Sequence, residues 1–209
     1  GGEFPAQSLH LLGSERSLEA LVHKLESKQD FRSTSGVDLG SYRALSVSGR
    51  RERRTIRLYK GALPLLHELH PNALAYYLSA TGGHQFSGSA AHVQRNHRVS
   101  ETLAMCLAAG IEFAPYNLPA LQKQVIRTVV PATPCFYLAR GLKQLDNTAM
   151  NKMIFTRLTG ALFSNGYCYA VYNTRCAVMK WSGMGEFKTA HHLEELARMN
   201  AGSVQSDHA

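Results

Sequence analysis

The chain has 209 residues, of which 44% are hydrophobic and 18% are charged, and its formal net charge at pH 7 is +8. This length suits one large or two small domains, and the composition is that of a globular protein. No apolar run approaches the roughly 20 residues of a membrane span, and the four cysteines show no CxxC spacing. The sequence therefore predicts a cytoplasmic protein with reduced thiols and no cofactor, whose positive charge favours an acidic partner.

The N-terminal segment contains two predicted helices. Residues 1–4, Gly-Gly-Glu-Phe, resemble a remnant of cloning, so the native start is expected to differ. Residues 6–12 predict a short helix that ends at Gly13. From Ser14 to Ser27, apolar residues recur at i, i+3, i+4 and i+7, which predicts an amphipathic helix. These apolar residues are Leu18, Leu21, Val22 and Leu25.

A strongly basic segment follows, and we call residues 43–60 the basic hairpin. Two short alternating runs, 43–47 and 55–59, flank a loop that holds Gly49 and four arginines, which predicts a β-hairpin with a basic tip. The segment has seven basic residues and one acid, Glu52, and so carries +6 of the total charge of +8. Because arginine binds phosphate through paired hydrogen bonds, this density favours nucleic acid. The alternative is a solvated loop that only keeps the protein soluble.

Two helices, a tight turn and a hairpin follow one another as in a winged helix-turn-helix. In such domains the second helix enters the major groove and the hairpin contacts the backbone or the minor groove. The sequence therefore predicts that residues 1–80 form this domain, with its first helix missing. The predicted DNA contacts of the helix and hairpin are Arg16, Ser17, His23, Lys24, Arg43, Arg50, Arg51, Arg53, Arg54, Arg57 and Lys60.

Three glutamates on the same helix weaken this interpretation, because they repel phosphate. They would be compatible with groove binding if they turned inward or accepted hydrogen bonds from cytosine amino groups. These residues are Glu15, Glu19 and Glu26.

After the hairpin, the sequence predicts helices at 62–69, 72–78 and 90–109, with a flexible loop at 81–89. The first half of the long helix is polar and basic, and Arg95 and Arg98 are predicted phosphate contacts. The alternative for this half is a solvated helix end or a hydrogen-bond network at a domain interface. The domain boundary is expected between Pro71 and Ser89.

The second domain is predicted to span residues 88–200, with a frayed tail at 201–209. Its predicted elements are strands at 111–113, 135–139, 158–163, 167–172 and 177–181, and helices at 150–157 and 188–199. This pattern indicates an α+β fold with a small, mainly antiparallel sheet.

Three motifs together resemble one known family. The helices and hairpin lead to Pro71 and Tyr-Tyr-Leu at 76–78; Asn-His-Arg-Val-Ser-Glu-Thr-Leu-Ala follows at 96–104; and Tyr-Ala-Val-Tyr-Asn-Thr at 169–174 precedes Met-Lys-Trp at 179–181. Their order resembles the replication-relaxation proteins of plasmids and integrative conjugative elements in Gram-positive bacteria. The resemblance implies a winged-helix unit joined to a degenerate restriction-endonuclease-like domain. It also implies a DNA-binding role in replication or conjugative transfer of mobile elements.

Two other functions remain as alternatives. A metal-dependent DNA nuclease needs paired carboxylates on adjacent strands, but Asn173 and Met179 occupy those places, and Glu186 precedes Lys188 after a turn. The sequence therefore predicts no catalytic and no metal-binding residues. A scaffold would dock on a relaxase or replication protein through the sheet face around Tyr167, Tyr169 and Tyr172. A homodimer is left open, since winged-helix proteins often bind as dimers.

Overall fold

A computed structural model describes residues 2–86, 89–111, 134–139, 158–164, 167–175, 183–191 and 193–194. The described chain combines helices with antiparallel sheets, so the predicted α+β class is confirmed. It divides into two compact units, Gly1–Ala108 and Ala109–Ala209. Among the described residues, no helix combines the length and the apolar character needed to cross a bilayer.

The described residues of the first unit form five short strands and several helices. In chain order they are β1 (Glu3–Pro5), a 3-10 helix (Ala6–Leu12), α1 (Glu15–Glu26), β2 (Gln29–Arg32), β3 (Asp38–Tyr42), β4 (Leu45–Ser48), β5 (Thr55–Leu58), α2 (Leu63–Leu69), α3 (Pro71–Ala80) and α4 (Ala90–Ala108). Two further 3-10 turns occupy Arg51–Arg53 and Lys60–Ala62. The strands form one three-stranded sheet in the order β1-β5-β4 and a separate β2-β3 hairpin.

The apolar face of α1 packs on the three-stranded sheet, as its sequence pattern predicts. Leu9, Val22 and Ile56 are buried at the centre of this core, and Leu18 and Val47 pack against them. The backbone N–H of Ala44 donates to the carbonyl of Leu25, which ties the end of α1 to the start of β4. The helix and the basic hairpin are therefore parts of one packed structure.

A hairpin at 29–42 was not predicted. Its strands pair from Gln29–Tyr42 to Arg32–Asp38, and the ring centroids of Phe31 and Tyr42 lie 6.4 Å apart. Its polar, Ser- and Gly-rich sequence lacks the apolar alternation that marks a strand, which explains the omission.

Glu3 and Phe4, two of the residues that were interpreted as a cloning remnant, begin β1 at the edge of the sheet. Phe4 pairs with Ile56 of β5, and the Glu3 side chain is only 2% exposed. This segment is thus an integral part of the first unit.

The long helix α4 belongs to the first unit, whereas the sequence analysis assigned it to the second domain. It packs against β1 and the 3-10 helix at 6–12. Its buried residues include His97, Glu101 and Cys106. Polar residues on α4 meet polar partners that lie more than 40 positions earlier in the chain, and local periodicity cannot reveal such contacts.

The second unit contains a three-stranded antiparallel sheet in the order β6 (Cys135–Leu138), β7 (Gly160–Ser164) and β8 (Tyr167–Val171), which confirms three predicted strands. Phe136 and Phe163 are almost fully buried. A Cβ atom at Gly160 would lie 2.3 Å from the carbonyl oxygen of Tyr137, so the close approach of β6 and β7 requires glycine.

A helix occupies residues 183–191, which begins five positions before the predicted helix at 188–199. The predicted elements at 112–113, 150–157 and 177–181, and the tail at 201–209, lie outside the described residues.

Candidate nucleic-acid interface

The loop of the basic hairpin is a compact turn, and we call residues 49–54 the tip. The last cross-strand pair before it is Ser48–Thr55. Within the tip, the N–H of Arg53 donates to the carbonyl of Arg50 over 3.1 Å, and the N–H of Arg54 donates to that of Arg51 over 3.0 Å. Gly49 has φ +82, and a Cβ atom there would lie 2.3 Å from the Arg53 carbonyl oxygen. These two hydrogen bonds and the positive φ of Gly49 therefore fix the backbone conformation of the tip.

The tip displays its arginine side chains to solvent. All four tip arginines are exposed: Arg50, Arg51, Arg53 and Arg54. The ion pairs found among the described residues are Arg57–Glu3 and His67–Glu68, so no described carboxylate forms an ion pair with a tip arginine, and the exposed Glu52 offsets one of the four positive charges of the tip. This arrangement leaves a concentrated positive field at the tip, suited to a polyanion.

Arg57 and Arg43 lie in the same segment but have internal partners. The Nε atom of Arg57 donates to Oε1 of the buried Glu3 carboxylate over 2.6 Å, and its guanidinium lies over the ring of Phe86. The Nε atom of Arg43 donates to the Leu45 carbonyl over 3.0 Å, and its guanidinium lies over the ring of Tyr59. Arg57 and Arg43 are therefore held by partners inside the first unit, and the side chain of Arg57 is 24% exposed. Lys60, at the end of the hairpin, is exposed.

The four predicted contacts on α1 lie on the side of the helix that faces away from the sheet. Arg16, Ser17, His23 and Lys24 are exposed. At about 100° per residue, Arg16, Ala20 and Lys24 follow one another along the face opposite the buried Val22.

The three glutamates of α1 differ in their surroundings. Glu26 is directed inward, because its Oε1 accepts a hydrogen bond from the Val47 N–H over 3.1 Å. At about 100° per residue, Glu15 and Glu19 flank the buried face on the same side as Glu26. Glu26 is thus directed away from the basic face, whereas Glu15 and Glu19 are exposed, and Glu19 lies one helical turn from both Arg16 and His23, beside that face.

The polar first half of α4 forms an internal hydrogen-bond network. Nδ2 of Asn96 donates to Oε2 of Glu3 over 2.6 Å, and Oγ of Ser100 donates to the Glu3 carbonyl over 2.8 Å. Arg98 is half-buried, and Arg95 is exposed. This part of α4 therefore takes part in a hydrogen-bond network inside the first unit, not at a domain interface, and Arg95 remains an exposed cation on the helix.

The second unit offers no paired carboxylates among its described residues. Glu186, the acid of the Glu-x-Lys sequence, accepts a hydrogen bond from the Tyr172 hydroxyl over 2.5 Å. Burial, together with this carboxylate, raises the pKa of Tyr172 well above its usual range. No group of three His, Cys, Asp or Glu side chains suited to a metal ion occurs in the described part of the chain. The nuclease alternative stays a prediction, since residues 176–182 lie outside that part.

The tyrosines predicted to form a docking surface and the thiol of Cys168 differ in exposure. Tyr167 and Tyr169 are 67% and 51% exposed, with ring centroids 6.3 Å apart. Tyr172 is half-buried. Burial raises the pKa of the Cys168 thiol to about 11, which keeps it protonated and unreactive at neutral pH.

Glu3 and Phe86, which hold Arg57, were not predicted as part of the site, because no local signal in the sequence marks either residue. Comparisons with family models, curated proteins and solved structures give no match for this chain.

Proposed function

We propose that this protein is a cytoplasmic, DNA-binding accessory factor in the replication or conjugative transfer of mobile elements. It binds duplex DNA through the outward face of α1 and the tip of the basic hairpin. The observation that carries the proposal is the set of four exposed tip arginines without a described carboxylate partner, on a hairpin that packs against α1.

The connectivity of the first unit supports a winged helix-turn-helix. A strand, a 3-10 helix, α1 and a hairpin follow one another, and the second strand of the hairpin is the central strand of the sheet. In this type of domain the second helix reads the major groove, and the hairpin lies along the backbone or in the minor groove. The inserted β2-β3 hairpin is the main departure from that plan.

The electrostatics support phosphate contact more strongly than base readout. Arginine forms short, charge-assisted hydrogen bonds with phosphate, often in pairs. Each neutralised phosphate contributes about −0.9 to the slope of log affinity against log salt concentration. Loss of the four tip arginines should therefore reduce the magnitude of this slope by up to about 3.6.

The test is a fluorescence-anisotropy titration of labelled duplex DNA, random and element-derived, between about 50 and 200 mM salt. Wild-type protein should bind with a steep salt slope. Replacement of Arg50, Arg51, Arg53 and Arg54 by Ala should weaken binding at low salt by about tenfold or more and flatten the slope. Replacement of the same four residues by Lys is the matched control, because it keeps the charge. Equal affinity and slope for the wild type and the Ala variant would overturn the proposal.

The exposed tyrosine pair favours a second candidate function, which is docking on a relaxase or replication protein. Exposed aromatic side chains are enriched at protein interfaces and often dominate their binding energy. The double change Tyr167→Ser and Tyr169→Ser should abolish co-purification with such a partner and leave duplex binding unchanged. Unchanged co-purification would exclude this surface.

A further inference from the structure

Buried hydrogen bonds connect the tip of the basic hairpin to α4. Oγ1 of Thr55, the first residue after the tip, donates to the Arg53 carbonyl over 2.9 Å. The same Oγ1 atom lies 2.9 Å from Nε2 of His97, on α4. Thr55 is 2% exposed and His97 is 1% exposed. Contact with solvent therefore cannot replace the bond between these two side chains.

The chemistry of the hydroxyl fixes the direction of these bonds. A threonine hydroxyl has one hydrogen to donate and can accept two hydrogen bonds. Since this hydrogen is donated to the Arg53 carbonyl, His97 Nε2 must donate to Thr55 Oγ1. The chain of bonds thus runs from α4 through Thr55 to the backbone of the tip.

The carbonyl at the end of this chain is the group that shapes the tip. A Cβ atom at Gly49 would lie 2.3 Å from the Arg53 carbonyl oxygen, so the two sides of the turn meet at this atom. The next residue is also held, because its carbonyl, that of Arg54, accepts a hydrogen bond from the Ala6 N–H over 2.9 Å. The peptide units that carry Arg53 and Arg54 are therefore oriented from inside the first unit.

A second connection holds the base of the basic hairpin, the name we give to its paired strands β4 and β5. Arg57 of β5 and Asn96 of α4 bind opposite oxygens of the Glu3 carboxylate. β5 begins at Thr55, directly after the tip. This strand is therefore held to α4 at two points, directly through Thr55 and, by way of Glu3, through Arg57.

We propose that Thr55 and His97 are positioning residues for DNA binding. They set the orientation of the tip peptides, and hence of the tip arginines, without touching DNA. The part of this inference that concerns affinity rests on the proposed function, whereas the part that concerns the conformation of the tip does not.

The matched variants are Thr55→Val, which removes the hydroxyl at almost unchanged volume, and Thr55→Ser, which keeps it. Thr55→Val should weaken duplex binding by about three- to tenfold, as expected for the loss of one buried hydrogen bond, and Thr55→Ser by less. The salt slope of Thr55→Val should also become shallower, because fewer phosphates are neutralised at once. On the background that lacks the four tip arginines, Thr55→Val should have no further effect on affinity.

A second measurement tests the conformation of the tip without DNA. Trypsin cleaves after arginine, and its rate at a site follows local opening of the chain. Cleavage within residues 50–54 should be faster in Thr55→Val than in Thr55→Ser, whereas cleavage after the exposed Arg32 of β2 should be equal. If Thr55→Val does not fold, His97→Leu and His97→Gln provide the same comparison, because glutamine keeps a side-chain N–H.

The possible results separate the two proposals. Equal tip cleavage in the matched variants, or an equal loss of affinity with and without the tip arginines, would overturn the positioning role. Failure of the wild-type protein to bind duplex DNA would overturn the proposed function, while the cleavage rates would still decide whether Thr55 and His97 set the conformation of the tip.

Discussion

The tip and the base of the basic hairpin contain the same residue type in opposite environments. Arg53 and Arg54 are exposed, and no described carboxylate pairs with either of them, whereas Arg57, three positions later, forms an ion pair with a carboxylate that is 2% exposed. Strand register separates the two groups, since cross-strand pairing ends at Ser48–Thr55 and places Arg57 between Ser46 and Glu3. The charge of one segment thus divides into a part that is available to a ligand and a part that stabilises the fold.

The largest loss of folding stability is expected when the Arg57–Glu3 ion pair is broken. Arg57→Ala leaves the Glu3 carboxylate buried and without its cation, and removal of one partner of a buried pair costs about 3–5 kcal/mol. Because the Arg57 side chain remains 24% exposed, the lower end of that range is expected. Arg53→Ala, at the tip, should change the free energy of unfolding by less than about 0.5 kcal/mol. Urea unfolding of both variants measures the difference.

For DNA affinity we expect the opposite order, with a larger loss at Arg53 than at Arg57. Arg53→Ala should weaken duplex binding, while the folded fraction of Arg57→Met should bind nearly as well as wild type. Similar stability losses in Arg57→Ala and Arg53→Ala would show that the tip and the base do not differ in the way proposed.

A smaller effect is expected at the turn that shapes the tip. Gly49→Ala forces alanine into φ +82 and places Cβ 2.3 Å from the Arg53 oxygen. Gly36, in the β2-β3 loop, has the same φ of +82 but no atom within 4 Å of a Cβ, so Gly36→Ala is a matched control for backbone strain alone. We expect a loss of about 1 kcal/mol for Gly36→Ala and roughly 2–3 kcal/mol for Gly49→Ala, measured by thermal unfolding. Equal losses would mean that the Arg53 carbonyl moves aside easily.

The sequence predicted the parts of this fold that depend on local pattern. The apolar repeat of α1, the alternation in β4 and β5, and the long helical stretch of α4 all formed near their expected bounds. The β2-β3 hairpin was missed because its strands lack apolar alternation. The unit that contains α4 was also missed, because it depends on contacts such as Asn96–Glu3, which join residues 93 positions apart.

The candidate site could be predicted only in part, because several of its residues have partners far away in the sequence. Clustered arginines around Gly49 indicate a basic turn, and those at the tip are exposed. The partner of Arg57 lies 54 positions away, so charge counting could not distinguish it from the others. Likewise, the polar residues of α4 had the composition of a phosphate-binding surface, although Asn96 and His97 face partners inside the first unit.

The basic face of α1 should contribute less to duplex affinity than the tip, because its cations are spaced along the helix, whereas the tip holds four arginines within five residues. Arg16→Ala should weaken duplex binding by about two- to fivefold, with a loss of about 1 in the magnitude of the salt slope. Arg32→Ala is the matched control, since it removes the same charge from an exposed site on β2. Equal effects of the two changes in a salt-dependent titration would indicate attraction by net charge alone and would exclude a specific role for α1.

The smallest expected effect is on the pH dependence of stability, and it concerns Tyr77, a partly buried tyrosine near the base of the basic hairpin. The Tyr77 hydroxyl lies 2.6 Å from Nδ1 of His84. Burial, aided by the Glu3 carboxylate and opposed by Thr81 and Arg57, raises the pKa of Tyr77 to about 12, whereas burial and nearby cations lower the pKa of His84. Both shifts favour neutral side chains, as expected if the phenol O–H donates a hydrogen bond to Nδ1 of a neutral imidazole.

The raised pKa of Tyr77 predicts a stability loss at alkaline pH. Above pH 10 the unfolded chain releases the Tyr77 proton while the folded chain retains it up to about pH 12, so the unfolded state binds fewer protons and stability falls as pH rises through this window. Below pH 10 the contribution is fully present. Tyr77→Phe cannot titrate, so its thermal midpoint should decline less steeply than that of wild type between pH 10 and 12. Parallel declines in the two proteins would mean that Tyr77 titrates alike in the folded and unfolded chains, and hence that its side chain is solvated rather than buried, because burial is the main cause of the raised pKa.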